Sequence, residues 1–193
     1  MKLGVYIGSF NPVHLIHEKI VNDLIESKVV DKIVIIPTGD KYHLKNNLIA
    51  FKYRYDMLKT TFKNLKDVII SDFERDDYNF TYQNIKLLKK LYNDDLYLII
   101  GADNLFQLKQ WRNSNYLLEN CYFVVFCRNE LNVKEYINKN FTNYGNKFII
   151  KEPLGNISST LIRERLKNNL NVDEYISKSV KDYIFANNLY KGE

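Results

Sequence analysis

The sequence predicts an α/β chain, a mostly parallel, doubly wound sheet with helices on both faces, and two observations carry that class. Strand-like and helix-like patterns alternate along the chain without a linker, an internal repeat or a low-complexity stretch. Most strand-like runs are also apolar along their whole length, which suits strands covered on both faces and not strands with one face in water. Repeated strand-helix-strand units run parallel through helical crossovers, the arrangement of a Rossmann-like sheet. At 193 residues, 46% of them hydrophobic, the chain suits one domain over 1–193, with a C-terminal helical segment at about 158–190.

The first strand falls at 2–7, where Leu3-Gly4-Val5-Tyr6-Ile7 is nearly continuous apolar sequence. A helix follows over 13–26, with Asn11 as N-cap and Pro12 in the first helical position, where its missing N–H costs nothing. Strands at 31–37, 68–73, 95–101, 121–127 and 147–151 then alternate with helical patterns at 49–64, 82–92, 104–118 and 133–140. Two closing helices fall at 159–169 and 177–187. Ligands of such sheets bind beyond the carboxyl ends of the strands, near the reversal of strand order. Gly8, the stretch 37–45, the stretch 101–104 and the segment before Ser158 all lie at such ends.

Composition excludes several classes. No run of about 18 apolar residues is present, and Met1-Lys2 leads directly into the first strand, so the expectation is a cytoplasmic chain with neither a membrane span nor a secretory signal. Cys121 and Cys127 are spaced for neither a zinc pair nor a redox CxxC, which makes them reduced, packed thiols. The 28 Lys and Arg against 23 Asp and Glu leave a formal charge of +5, but the basic residues are scattered and form no tract. That excess favours the arrival of small anions over nucleic acid.

Two stretches carry chemistry. In Gly8-Ser9-Phe10-Asn11-Pro12-Val13-His14-Leu15-Ile16-His17, two histidines three residues apart share one face of a beginning helix, where free N–H groups and the helix dipole favour an anion. Imidazoles add donors that are neutral or charged near pH 7. A single histidine on an amphipathic helix is ordinarily packed or solvated; here two of the chain's three fall in one turn after Gly8, where backbone can approach a ligand closely. In Ile157-Ser158-Ser159-Thr160-Leu161-Ile162-Arg163, plain helix capping accounts for the hydroxyls when the segment is taken alone. A second anion-competent helix start in the same chain changes the balance, because a triphosphate needs donors from several directions.

These residues match a known family. The first stretch resembles the (H/T)xGH signature of the nucleotidyltransferase superfamily, and 157–163 resembles its ISSTxIR signature. Gly101-Ala102-Asp103 with Trp111 eight residues beyond Asp103, and His43-Leu44-Lys45, resemble the bacterial nicotinate mononucleotide adenylyltransferases in particular, as do Phe80-Thr81-Tyr82 and Asn188-Leu189-Tyr190. The resemblance runs over 2–190. Four departures stand out: Ile16 replaces the signature glycine, Tyr42 and Leu44 interrupt the family's Pro-Pro-His-Lys pattern, Gln83 stands where an acid is usual, and Arg112 follows Trp111 where many members have Tyr.

The resemblance implies adenylyl transfer from ATP to nicotinate mononucleotide, giving nicotinate adenine dinucleotide and pyrophosphate without a covalent enzyme intermediate. It implies His14, His17 and Arg163 as catalytic residues. ATP would meet Gly8, Ser9, Phe10, His14, His17, Gly101, Asp103, Ile157, Ser158, Ser159 and Arg163. Nicotinate mononucleotide would meet Ser9, His43, Lys45, Thr81, Asp103, Trp111 and Arg112, with Trp111 stacked on the ring and donors beside Thr81 and Arg112 on its carboxylate. The Arg112 guanidinium is a further candidate for favouring the acid over the amide, against the reading of a solvated surface arginine. Asp103 is placed to cap a helix or to accept from a ribose hydroxyl. Mg²⁺ would be held mainly by ATP phosphates, with no protein ligand set of its own. Phosphopantetheine adenylyltransferase is the alternative within the class, although its members tend to carry Thr where His14 stands; a non-catalytic nucleotide-sensing module is the alternative outside it. Tyr183, Ile184 and Leu189 could pack internally or build a homo-oligomer, and the sequence leaves both open.

Overall fold

The computed structural model describes residues 1–41, 48–77, 79–127 and 132–191. Among them are six strands, β1 (Lys2–Gly8), β2 (Lys32–Pro37), β3 (Val68–Ile70), β4 (Asp95–Gly101), β5 (Cys121–Phe126) and β6 (Phe148–Lys151), in one sheet of order β3-β2-β1-β4-β5-β6. Every pairing is parallel. The chain winds outward from β1 to β3, then crosses back to lay β4 against the free side of β1, with Tyr6 opposite Ile99. The reversal opens a crevice at the carboxyl ends of β1 and β4, where ligands of open α/β sheets bind.

Strand alternation builds two cores. On β2, Ile33 and Ile35 face one side and Val34 and Ile36 the other; on β4, Tyr97 and Ile99 oppose Leu96, Leu98 and Ile100. The first face is covered by α1 (Leu15–Glu26), α2 (Phe51–Phe62), α7 (Ser159–Lys167) and α8 (Lys178–Ala186), through residues such as Val21, Leu24, Met57, Ile162 and Ile184. The second is covered by α3 (Thr81–Leu91), α4 (Ala102–Gln107), α5 (Ser114–Asn120) and α6 (Val133–Asn140), through Ile85, Leu88, Leu105, Leu117 and Ile137. Each such aliphatic side chain contributes about 1.5–3 kcal/mol on burial, which is why the continuous apolar runs became central strands. Ile184 is buried, and Tyr183 and Leu189 pack against the same core, so these three face inward.

Two helices differ from the sequence expectation, and β3 ends at Ile70 where the strand was expected to run to residue 73. The helix expected from residue 13 begins at Leu15 with His14 as its N-cap, and Asn11 is not a cap. Asn11 lies in the preceding loop, its side-chain oxygen accepting from the Tyr190 hydroxyl at 2.8 Å and its carbonyl from Arg163 at 2.8 Å. These long-range partners outcompete the local cap. The single helix expected over 104–118 is divided: α4 passes into a 3-10 turn at Leu108–Gln110, Trp111 is extended, and Asn113 adopts left-handed φ of 54° before α5. Asn tolerates that conformation, so the chain can turn there and set Trp111 at the crevice while Leu105 and Leu117 stay in the core.

Candidate active site

Two cavities flank the carboxyl end of β1. One of about 520 Å³ lies toward the starts of α1 and α7, and one of about 480 Å³ lies toward α3 and the Trp111 turn. Ile7, Gly8, Ser9, Ile99, Ile100 and Asn104 line both, so they share a floor.

The first cavity is built from the loop after β1. Phe10 takes a left-handed φ of 45°, a costly backbone for an aromatic residue, and its buried ring meets Tyr6 and His17 edge-on at 5.3 and 4.9 Å. The chain then enters α1 with the His14 and His17 rings stacked, centroids 3.6 Å apart and planes 21° apart. The His14 backbone N–H donates to His17 Nδ1 at 3.1 Å. An accepting Nδ1 puts the proton of neutral His17 on Nε2, fixing its tautomer as an Nε2 donor.

The start of α7 comes to the same place. Ser158 is its N-cap, the hydroxyl accepting from Leu161 N at 3.2 Å. Ser159 donates to the Pro12 carbonyl at 2.9 Å, while Arg163 donates to the Asn11 carbonyl and, at 3.2 Å, to the Thr160 hydroxyl. Two helix N-termini, two imidazoles and one guanidinium thus converge, and hydrogen bonds sew the loop before α1 to the first turn of α7. Ser159, read from sequence as part of the ATP site, lines this cavity and gives its hydroxyl proton to that loop.

Gly8, Ser9, Phe10, Gly101, Asp103, Ser158 and Ser159 also line this cavity. Gly101 is the N-cap of α4, and Asp103 lies exposed in its first turn. Ile157 packs against the core. Ile16, the residue in place of the signature glycine, reaches the cavity wall beside Gly155. A Cβ on Gly155 would lie 2.9 Å from Ile16 Cδ1, and Gly155 has a φ of 126°, so the larger residue at 16 is matched by the absence of a side chain at 155.

Thr81, Trp111 and Arg112 line the second cavity with Thr38, Asn79 and Phe80. Arg112 stacks its guanidinium 4.8 Å over the Phe80 ring, which holds this exposed side chain at the rim. Gln83 caps α3, its side-chain oxygen accepting from Phe80 N at 2.8 Å, which is the work an acid would do at that position. His43 and Lys45, with Tyr42 and Leu44, lie outside the described residues.

Sequence reasoning reached Thr38, Asn104 and Leu154 only as parts of segments at strand ends, and did not single out Phe126 or Cys127 for the site. Thr38, Asn104, Phe126, Cys127 and Leu154 carry no motif signal, because a loop's aim is set by the sheet beneath it. The contact between Tyr190 and Asn11 spans 179 positions and was marked only by the family-like chain end. Burial pushes the Tyr190 hydroxyl far above its ordinary value, against the lowering effect of Arg163 and Arg54, so it remains a donor at any ordinary pH. Burial also raises the Cys127 thiol, leaving a neutral group in the cavity wall.

A family model described as cytidylyltransferase-like matches residues 5–165. The chain belongs to this family. The match includes both helix starts, the common floor and Trp111, while α8 and Tyr190 of this cytidylyltransferase-like chain lie beyond it. The probable nicotinate-nucleotide adenylyltransferase of Fusobacterium nucleatum is 40% identical over 189 residues, covering 95% of this chain and 97% of the relative. That of Carboxydothermus hydrogenoformans is 33% identical over 199 residues, covering 98% of each. Among solved structures, the nicotinic acid mononucleotide adenylyltransferase of Plasmodium falciparum complexed with NaAD has the same fold, with a TM-score of 0.84 at 22% identity over 98% of this chain and 97% of that one.

Proposed function

We propose that this chain is a nicotinate-nucleotide adenylyltransferase: it joins nicotinate mononucleotide to the adenylyl group of ATP, releasing pyrophosphate, in the biosynthesis of NAD. The observation that carries the reading is the pair of cavities over one floor, one rich in anion donors and the other bounded by Trp111, Thr81 and Arg112. Near-full-length relatives bearing that name support the choice of substrate pair.

An oxygen of the mononucleotide 5′-phosphate attacks the α-phosphorus of ATP, a new P–O bond forms, and the bond to the β-phosphate breaks. Charge spreads over the transferring group, so catalysis rests on alignment and on positive charge placed in advance. Stacked His14 and His17 present imidazole donors to the triphosphate, and Arg163 adds a guanidinium from α7. Asp103 serves the ribose side, and Trp111 gives the pyridine ring an apolar face. The donors lining the first cavity surround a single carboxylate among the described residues, Asp103, which suits Mg²⁺ arriving on ATP phosphates with its waters. When bound, that ion neutralises the leaving pyrophosphate. The reaction belongs in the cytoplasm, where ATP is present.

The test is pyrophosphate release from Mg·ATP with nicotinate mononucleotide, nicotinamide mononucleotide and phosphopantetheine supplied in parallel, the product identified by mass. Release with the nicotinate compound and formation of the dinucleotide are expected. Turnover of phosphopantetheine alone assigns the related transferase instead. Binding of ATP by folded protein without turnover of any acceptor identifies a sensing module.

A further inference from the structure

Arg54 and Glu74 are charged, wholly buried, and without a part in the reaction described above. A buried charge is costly unless it is held, and replacement by apolar side chains would serve a core equally well, so what each charge holds is informative. Arg54, on α2, donates from Nε to the Ile49 carbonyl at 2.9 Å, from Nη1 to the Ser9 carbonyl at 3.0 Å, and from Nη2 to Asp40 at 2.8 Å. The other oxygen of Asp40 accepts from Phe51 N at 3.0 Å. One planar fork therefore ties the shared floor to the loop after β2 and to the start of α2.

Glu74 ties the opposite shores of the second cavity. One oxygen accepts from Gly39 N at 2.8 Å, next to Thr38; the other accepts from Asn84 Nδ2 at 2.6 Å, and Asn84 Oδ1 in turn accepts from Asn79 at 3.3 Å. The approach is close: a Cβ on Gly39 would collide with the Asp77 carbonyl oxygen. Thr38 and Asn79 both line that cavity.

We propose that Arg54 and Glu74 are positioning residues for the mononucleotide half of the site, setting the spacing between Ser9, Thr38 and the Asn79–Thr81 turn; the inference rests on the function proposed above. Their partners at the cavity are mainly main-chain groups, which apolar replacements could not hold. Glu74→Gln leaves the volume unchanged but turns one acceptor into a donor. Gly39 keeps its partner only if Asn84 flips, and the flipped Asn84 then presents its NH₂ to Asn79.

The experiment measures KM and kcat for each substrate in the wild-type, Glu74→Gln and Arg54→Lys chains, with the folded fraction read by denaturant unfolding. In Glu74→Gln, KM for nicotinate mononucleotide should rise by about tenfold or more while KM for ATP stays within about twofold. Arg54→Lys, which keeps the charge but loses the fork, should raise both KM values, because Ser9 lies on the common floor. A loss of kcat that follows the folded fraction, with both KM values unmoved, overturns the positioning role. A folded wild-type chain that turns over no mononucleotide overturns the function beneath it instead. Where neither variant folds, the Gly39 amide of the unliganded wild-type chain decides: protection from solvent exchange supports the pin, and free exchange overturns it.

Discussion

His17 is held in a single tautomer by a backbone donor, and it packs between the rings of His14 and Phe10. Its imidazole is therefore aimed before substrate arrives. His17→Ala should lower kcat by about a hundredfold to a thousandfold, the usual cost of one prearranged donor to a developing charge, with a far smaller effect on KM for nicotinate mononucleotide; steady-state kinetics check both. Arg112 is a different case, because it stacks on Phe80 at the rim of the other cavity. Arg112→Ala should lower the preference for nicotinate over nicotinamide mononucleotide, read as the ratio of the two kcat/KM values, and an unchanged ratio would count against a role for its guanidinium. The motif residues were legible as a set because their chemistry and spacing both point to an anion. Their individual tasks were not: Asn11 looks like a cap until Tyr190 and Arg163 arrive from distant sequence and take its hydrogen bonds, and nothing local marks the bond from Ser159 to the Pro12 carbonyl.

At the scale of elements, α8 shows how the chain end supports the site. Val180 and Ile184 are buried, Tyr183 donates to Asp56 of α2 at 2.9 Å, and the segment beyond the helix carries Tyr190 to Asn11. Ile184→Ala should destabilise the fold by about 2–5 kcal/mol, seen as a lower urea midpoint at unchanged slope. Strands were the most legible elements, since continuous apolar runs such as Ile33-Val34-Ile35-Ile36 have one good home in a parallel sheet. The break between α4 and α5 was hidden because Leu105, Leu108 and Tyr116 keep a helical spacing across it. Only the left-handed Asn113 and the pull of the crevice on Trp111 interrupt the periodicity.

For the molecule as a whole, groups held wholly or partly out of water set an alkaline limit. Burial pushes the Cys121 thiol from 9.0 to about 12, and the hydroxyls of Tyr183 and Tyr190 well above their ordinary value. Unfolded chain releases the thiol proton near pH 9 while folded chain keeps it, so this contribution to stability is complete below pH 9 and is lost as pH rises through about 12. The urea midpoint should fall across that interval, and Cys121→Ala, although less stable at neutral pH, should show a shallower fall. The parallel, doubly wound class follows from the alternation of patterns, but the order of the strands and the division of the crevice into two cavities depend on connections whose course no periodicity records. That division bears on departure as much as on arrival. In the reaction proposed, each substrate grips one side of the common floor, whereas the dinucleotide made from them grips both, and its second hold forms at the high effective concentration of a tethered partner. The dinucleotide is therefore expected to leave more slowly than either substrate, and a burst of product before steady turnover would show its exit to set the pace.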